Sequence, residues 1–173
     1  MMTLITGGAK CGKSKLAEKL LDSFMGNKIY MAAMLPYGYE AEAAIKRHRK
    51  LRKGKGFTTI EKYTDIEQTE LPENCAVLLE CMANLCANEM FREDKKHDVF
   101  SHIMCGIEKL HKCSEQLVIV TNEVGCDGIA YPAKTAEYIR ILSRINAAIA
   151  ADADNVVECV YGIPVMLKGE ICC

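Results

Sequence analysis

Residues 7 to 14 read Gly7-Gly8-Ala9-Lys10-Cys11-Gly12-Lys13-Ser14, which satisfies the phosphate-loop pattern G-x-x-x-x-G-K-[ST]. Glycines let successive backbone N–H groups turn inward around a phosphate chain, and the helix that follows adds its positive end to the same anion. In such a loop Lys13 would reach the β and γ phosphates of ATP or GTP, and the Ser14 hydroxyl would hold Mg2+. A metal there wants a second anionic partner. Glu80 stands at the end of an apolar run, Ala76 to Leu79, and is a candidate metal or base carboxylate; a glutamate merely solvated at the rim is the competing reading. No N-K-x-D is present, and Thr121-Asn122-Glu123 does not substitute for it, which disfavours a regulatory GTPase.

A second constellation is Lys46-Arg47-His48-Arg49-Lys50-Leu51-Arg52-Lys53, in which six cations surround one histidine. Charge runs are usually solvated faces, but helical spacing places Ile45, His48 and Arg52 on one stripe. If that stripe faces the phosphate loop, neighbouring cations favour neutral imidazole, whose free nitrogen can attack phosphorus while the arginines neutralise developing charge. A half-buried structural histidine is the alternative. His97, His102 and His111 lack such surroundings and are expected at the surface or in packing.

Elements must bring these two constellations together. Short β-rich runs alternate with stretches of helical period, the pattern of an α/β fold on a mainly parallel sheet. The runs predict strands at 2–6, 28–33, 57–61, 76–81, 116–121, 155–161 and 163–168, and helices at 13–24, 38–53, 82–92, 98–114 and 132–151. Ala76-Val77-Leu78-Leu79 and Leu117-Val118-Ile119-Val120 are apolar throughout, as strands covered on both faces must be, and are expected at the sheet centre. Gly162-Ile163-Pro164 predicts a tight connection and an antiparallel hairpin at the edge. Ile139, Leu142, Ile145 and Ile149 form the stripe by which the last helix faces the core.

Composition sets the outer limits. With 173 residues, the chain has the length of one nucleotide-binding domain, 1–173. Its 22 basic and 23 acidic residues leave a net charge of -1, which argues against a nucleic-acid or membrane-surface binder. No window approaches the apolar length of a membrane span and no leader is visible, so a cytoplasmic protein is expected. Ten cysteines include no C-x-x-C, and most lie in apolar runs; they read as reduced thiols that pack as small hydrophobes.

Taken in order, these residues resemble the bifunctional adenosylcobinamide kinase / adenosylcobinamide-phosphate guanylyltransferases of cobalamin assembly. The resemblance rests on the Gly7–Ser14 loop, Glu40 with Ile45, His48, Arg49 and Arg52, and Thr59 with Glu61. It continues through Leu78 to Cys81, Thr121 to Gly125, Arg144 with Asn146, and Ala150 to Asp152. It implies a recombinase-like P-loop fold that assembles as a homotrimer. It also implies two steps: a nucleoside triphosphate phosphorylates adenosylcobinamide, and GTP then guanylylates a histidine that passes GMP to adenosylcobinamide phosphate. His48 matches that histidine. The implied nucleotide contacts are Gly7, Gly8, Ala9, Lys10, Cys11, Gly12, Lys13, Ser14, Ala32, Ala33, Met34, Arg49, Lys50, Leu51, Arg52, Glu61 and Glu80. Ala33 and Met34 replace small hydroxyl residues, Cys126 to Pro132 is slightly longer than the usual loop, and Ile139 stands where an arginine is customary. Two other readings are a P-loop kinase of another small metabolite, in which His48 only binds phosphate, and a non-catalytic nucleotide-binding subunit.

Overall fold

The computed structural model describes residues 1–36, 38–94 and 97–170, apart from the side chains of Glu40, Ala41, Glu42, Ala44, His48 and Leu51. Cys172 and Cys173 lie outside the described residues.

Seven strands form one sheet: β1 (Met2–Thr6), β2 (Asn27–Ala32), β3 (Phe57–Glu61), β4 (Cys75–Glu80), β5 (Gln116–Val120), β6 (Asn155–Val160) and β7 (Ile163–Lys168). Their order is β3-β2-β4-β5-β1-β6-β7, with every pair parallel except β6 and β7. The two apolar runs are β4 and β5, adjacent at the middle of the sheet. Helices α1 (Lys13–Leu20), α2 (Gly38–Arg52), α3 (Met82–Phe91), α4 (Val99–Cys113) and α5 (Ala133–Asp152) supply the parallel crossovers. This is a P-loop NTPase-like α/β architecture.

Strand alternation sorts the core into two layers. Ile5, Tyr30, Leu78, Val118 and Val157 face Leu16 and Ala17 of α1 and Leu21 just past its end. Leu4, Met31, Val77, Leu79 and Ile119 face the other way, into a larger layer built with α3, α4 and α5. Complete burial of a side chain such as Leu78 or Ile119 contributes roughly 1.5–3 kcal/mol each.

Element ends differ from the expected ones in instructive places. The first helix stops at Leu20 rather than running to Phe24, because the N–H groups of Leu21, Asp22 and Phe24 bond three residues back and tighten the chain out of the helix. In α5, Leu142, Ile145 and Ile149 are fully buried, whereas Ile139 is half-buried. A Cβ on Gly125 would lie 2.7 Å from Ile139 Cγ2, so this residue packs on the Thr121–Gly125 turn. Pro164 sits in β7, an edge strand exposed at all six positions, where its missing N–H costs no interior ladder bond.

Candidate active site

Register places the chemistry along one line across the sheet. Glu61 pairs with Ala32, Ala32 with Glu80, Glu80 with Val120, and Val120 with Ile5. These are the carboxyl ends of the parallel strands, the rim where ligands of open α/β sheets bind. The phosphate loop leaves β1 one residue beyond this line and turns into α1. Two glycines make that turn possible. Gly7 has φ +132°, and a Cβ there would sit 2.6 Å from the Cys159 carbonyl oxygen; Gly12 has φ +108° and closes to 3.1 Å of the Gly162 Cα.

Lys13 is buried at the centre of the loop. Its ammonium donates to the carbonyl oxygens of Gly7 at 2.7 Å and Gly8 at 2.6 Å, so its side chain ties the two ends of the loop together. The neighbouring Ser14 hydroxyl donates to Glu80 Oε1. Glu80 is only 8% exposed, which rules out the reading of a glutamate solvated at the rim. Its other oxygen accepts from Tyr30 Oη at 2.9 Å. The Ser14 hydroxyl and Glu80 carboxylate therefore offer adjacent hard oxygens, the donor type that Mg2+ takes.

Tyr30 is a site residue that sequence reasoning missed. Ala32 lies opposite Glu80, so Tyr30, two positions earlier on the same face of β2, is a diagonal neighbour of that carboxylate. Burial first, and then the negative charge of Glu80, push its phenol well above the ordinary range and keep it a donor. The opposite side of this residue meets the basic helix: the Arg52 guanidinium carbon lies 3.3 Å from the Tyr30 ring centroid. Arg52 is 7% exposed, and its Nη1 has no hydrogen-bond partner among the described residues. A buried guanidinium with a donor to spare suits an anion.

These groups line one cleft of about 820 Å3. Ala9 to Ser14, Ala32, Met34, Arg49, Arg52, Glu61 and Glu80 are on its wall, together with Ile45, Lys46 and Arg47 of the basic helix. Ile45 and Arg52 of α2 therefore border the same cleft as the phosphate loop. His48 belongs to this helix between Arg47 and Arg49; its side chain, like that of Leu51, lies outside the described residues. Arg49 pairs with Glu61 at 2.6 Å, and hydrogen bonds from Tyr63 and then Arg49 hold the Glu61 carboxyl below its ordinary range.

Four of the implied contacts, Gly7, Gly8, Ala33 and Lys50, are not among the residues that line this cleft. Ala33 is fully buried; its N–H bonds to the Glu80 carbonyl and its own carbonyl accepts from Asn88, so neither backbone group is presented to the cleft. Lys50 lines an open groove with Arg49, Arg52 and Lys53 behind the main cleft. Gly7 and Gly8 precede the first lining residue, Ala9, and contribute the two carbonyls that hold Lys13.

His102 also differs from expectation. It is no plain packing residue: its Nε2 lies 3.1 Å from Asp65 Oδ1, 3.5 Å from Glu67 Oε2 and 3.5 Å from Glu89 Oε1. Arg92 pairs with Asp65 at 2.7 Å and Glu89 at 3.0 Å. Although burial opposes it, the Arg92 hydrogen bond, helped by His102, lowers the Asp65 carboxyl to about 2. Asp65, Glu67 and His102 have metal-ligand spacing, but Arg92 already supplies the positive charge, and the group reads as an ion network beneath α4.

The fold and the cleft together define a P-loop nucleotide-binding protein whose phosphate loop shares its ligand space with an arginine-rich helix. The family described as cobinamide kinase / cobinamide phosphate guanyltransferase matches residues 3–167, and the chain belongs to it. Among curated relatives, the bifunctional adenosylcobalamin biosynthesis protein CobU of Escherichia coli K12 is 33% identical over 97% of this chain and 100% of its own length. The CobU protein of Salmonella typhimurium is 32% identical with the same coverage. The protein CobP of Pseudomonas aeruginosa, described in the same terms, is 27% identical over 98% of this chain and 99% of its own.

Proposed function

We propose that this chain phosphorylates the aminopropanol hydroxyl of adenosylcobinamide with ATP or GTP and then transfers GMP from GTP to adenosylcobinamide phosphate through His48. The observation that carries the proposal is the single cleft walled on one side by the phosphate loop and Glu80, and on the other by the helix holding His48. Family membership favours this reading over a kinase of another small metabolite or a passive nucleotide-binding subunit.

In the first step the phosphate chain lies along Gly7 to Ser14, and Lys13 exchanges the Gly7 and Gly8 carbonyls for β and γ oxygens. The corrinoid hydroxyl oxygen attacks the γ-phosphorus and loses its proton to water, the bond to the β-bridging oxygen breaks, and the nucleoside diphosphate leaves. Ser14 and Glu80 are the groups that would hold Mg2+. That ion, when bound, screens the phosphate oxygens. Tyr30 fixes the Glu80 carboxylate from behind.

In the second step a nitrogen of neutral His48 attacks the α-phosphorus of GTP, and the bond to the pyrophosphate oxygen breaks. A phosphate oxygen of adenosylcobinamide phosphate then attacks the same phosphorus, the P–N bond breaks, and adenosylcobinamide-GDP leaves with the imidazole restored. Arg49 and Arg52, whose Nη1 has no hydrogen-bond partner among the described residues, would carry the charge that develops.

Incubation with Mg2+ and α-phosphate-labelled GTP tests the assignment. Acid-labile, alkali-stable label is expected on the wild type and absent from His48→Ala, which keeps some phosphorylation of cobinamide. Wild-type protein without label would leave a P-loop kinase whose basic helix only binds phosphate. Loss of both activities in a folded His48→Ala would make the histidine a shared phosphate contact. No helix among the described residues is long and apolar enough to cross a membrane. Cytoplasmic residence and a homotrimer complete the proposal, the latter to be checked by sedimentation.

A further inference from the structure

Cys11 occupies a variable position of the phosphate loop, half-exposed on the wall of the cleft. Behind it, Cys159 of β6 is buried, with 1% exposure, and its thiol donates to the Cys11 carbonyl oxygen at 3.3 Å. The two sulfurs flank the loop's glycines. A Cβ on Gly7 would lie 3.1 Å from Cys11 Sγ, and one on Gly12 would lie 3.6 Å from Cys159 Sγ. Burial, and then the adjoining Cys11 thiol, push the Cys159 thiol up, so the inner sulfur stays protonated while the outer one is reachable. The Lys13 ammonium sits 3.8 Å from Cys11 Sγ and supplies positive charge beside it.

We propose that Cys11 and Cys159 are a peroxide-sensing thiol pair whose disulfide closes the phosphate loop to nucleotide. Cys11, the accessible thiol of the pair, gives up its proton and its sulfur attacks one oxygen of a hydroperoxide. The O–O bond breaks, hydroxide leaves and takes up the thiol's proton as water, and Cys11 becomes a sulfenic acid. The Cys159 sulfur then attacks the Cys11 sulfur, the S–O bond breaks, and a second water leaves with the Cys159 proton. Two thiols lose two electrons, and one hydrogen peroxide is reduced to two waters. A disulfide holds its Cβ atoms about 3.5–4.5 Å apart. Pinned to β6 at that separation, residue 11 can no longer follow the loop around a phosphate chain.

This inference rests on the loop binding nucleotide, and not on the corrinoid chemistry or on His48. The test treats the wild type with hydrogen peroxide, then reads intact mass, a non-reducing peptide map and binding of a fluorescent GTP analogue. A loss of two hydrogens, a peptide joining Cys11 to Cys159, and nucleotide binding weakened at least ~10-fold and restored by dithiothreitol are expected. Saturating GTP should slow the crosslink by covering Cys11. Cys159→Ser, away from the nucleotide, should bind normally when reduced, keep binding after peroxide, and give a Cys11 sulfenate that dimedone traps. A joined peptide with unchanged binding would overturn the proposal, as would peroxide-treated protein with no Cys11–Cys159 peptide. The map needs no variant, so a poorly folded Cys159→Ser does not blunt the test. Failure of the reduced wild type to bind the analogue would count against the nucleotide assignment, separately from the crosslink.

Discussion

Tyr30→Phe deletes a single oxygen whose position ties two halves of the cleft. The hydroxyl donates to Glu80 Oε2 at 2.9 Å, while Arg52 lies on the ring face, which phenylalanine retains. The substitution therefore isolates one hydrogen bond to a charged acceptor, which contributes about 1.5–3 kcal/mol. For a chain of this size each kcal/mol moves the melting temperature by roughly 2–4 °C, so a fall of about 3–12 °C is expected in calorimetry. If the same bond holds Glu80 in place for phosphoryl transfer, the kinase kcat falls by up to ~10–100-fold. Because the phenol is held well above its ordinary range, both deficits should be flat from roughly pH 6 to 9. An unchanged melting temperature together with unchanged kcat would refute the role given to Tyr30. A kinase deficit that vanished at alkaline pH would refute the assignment of the phenol as a permanent donor.

Lys13→Ala removes the ammonium that must meet the β and γ phosphates, and phosphoryl transfer should fall by at least ~100-fold; unimpaired turnover would take the loop out of the mechanism. Asp65 has a depressed folded carboxyl, about 2, so its pairing stabilises the protein above the unfolded value near pH 4 and is lost as pH falls towards 2. Acid titration of stability should show this contribution, of about 1–2 kcal/mol, in the wild type and a flatter limb in Arg92→Ala. Gly106→Ala would place a Cβ 2.4 Å from Ile66 Cγ1 and 3.2 Å from the Glu67 nitrogen. Denaturant unfolding should register a loss of roughly 1–3 kcal/mol, and a neutral result would mean that the α4 contact yields without strain.

Apolar runs revealed most of the sheet because β4 and β5 are covered on both faces and need no partner knowledge to be recognised. The hairpin at Gly162 was equally legible, since glycine and proline restrict the backbone locally. The phosphate loop and Glu80 were visible for the same reason: motif and strand end are properties of short segments. Tyr30 was not, because its role depends on which strand lies beside β2 and in what register. The surroundings of His102 were hidden likewise, being assembled from a turn at Asp65–Glu67, the end of α3 and the face of α4. Ala33 shows the reverse: the family resemblance put it among the nucleotide contacts, but it is buried just past the end of β2, with its N–H bonded to the Glu80 carbonyl and its carbonyl to Asn88.

The two backbone carbonyls on the Lys13 ammonium bear on selectivity. They lie at 2.6 and 2.7 Å, so an incoming anion competes with the protein's own backbone for that charge. A ligand that offers one phosphate recovers little on displacing them. A triphosphate presents several oxygens at once and can replace both carbonyls while also meeting the loop N–H groups. On the proposed function, the loop would in this way favour a long phosphate chain over a single phosphate before any base or corrinoid is read.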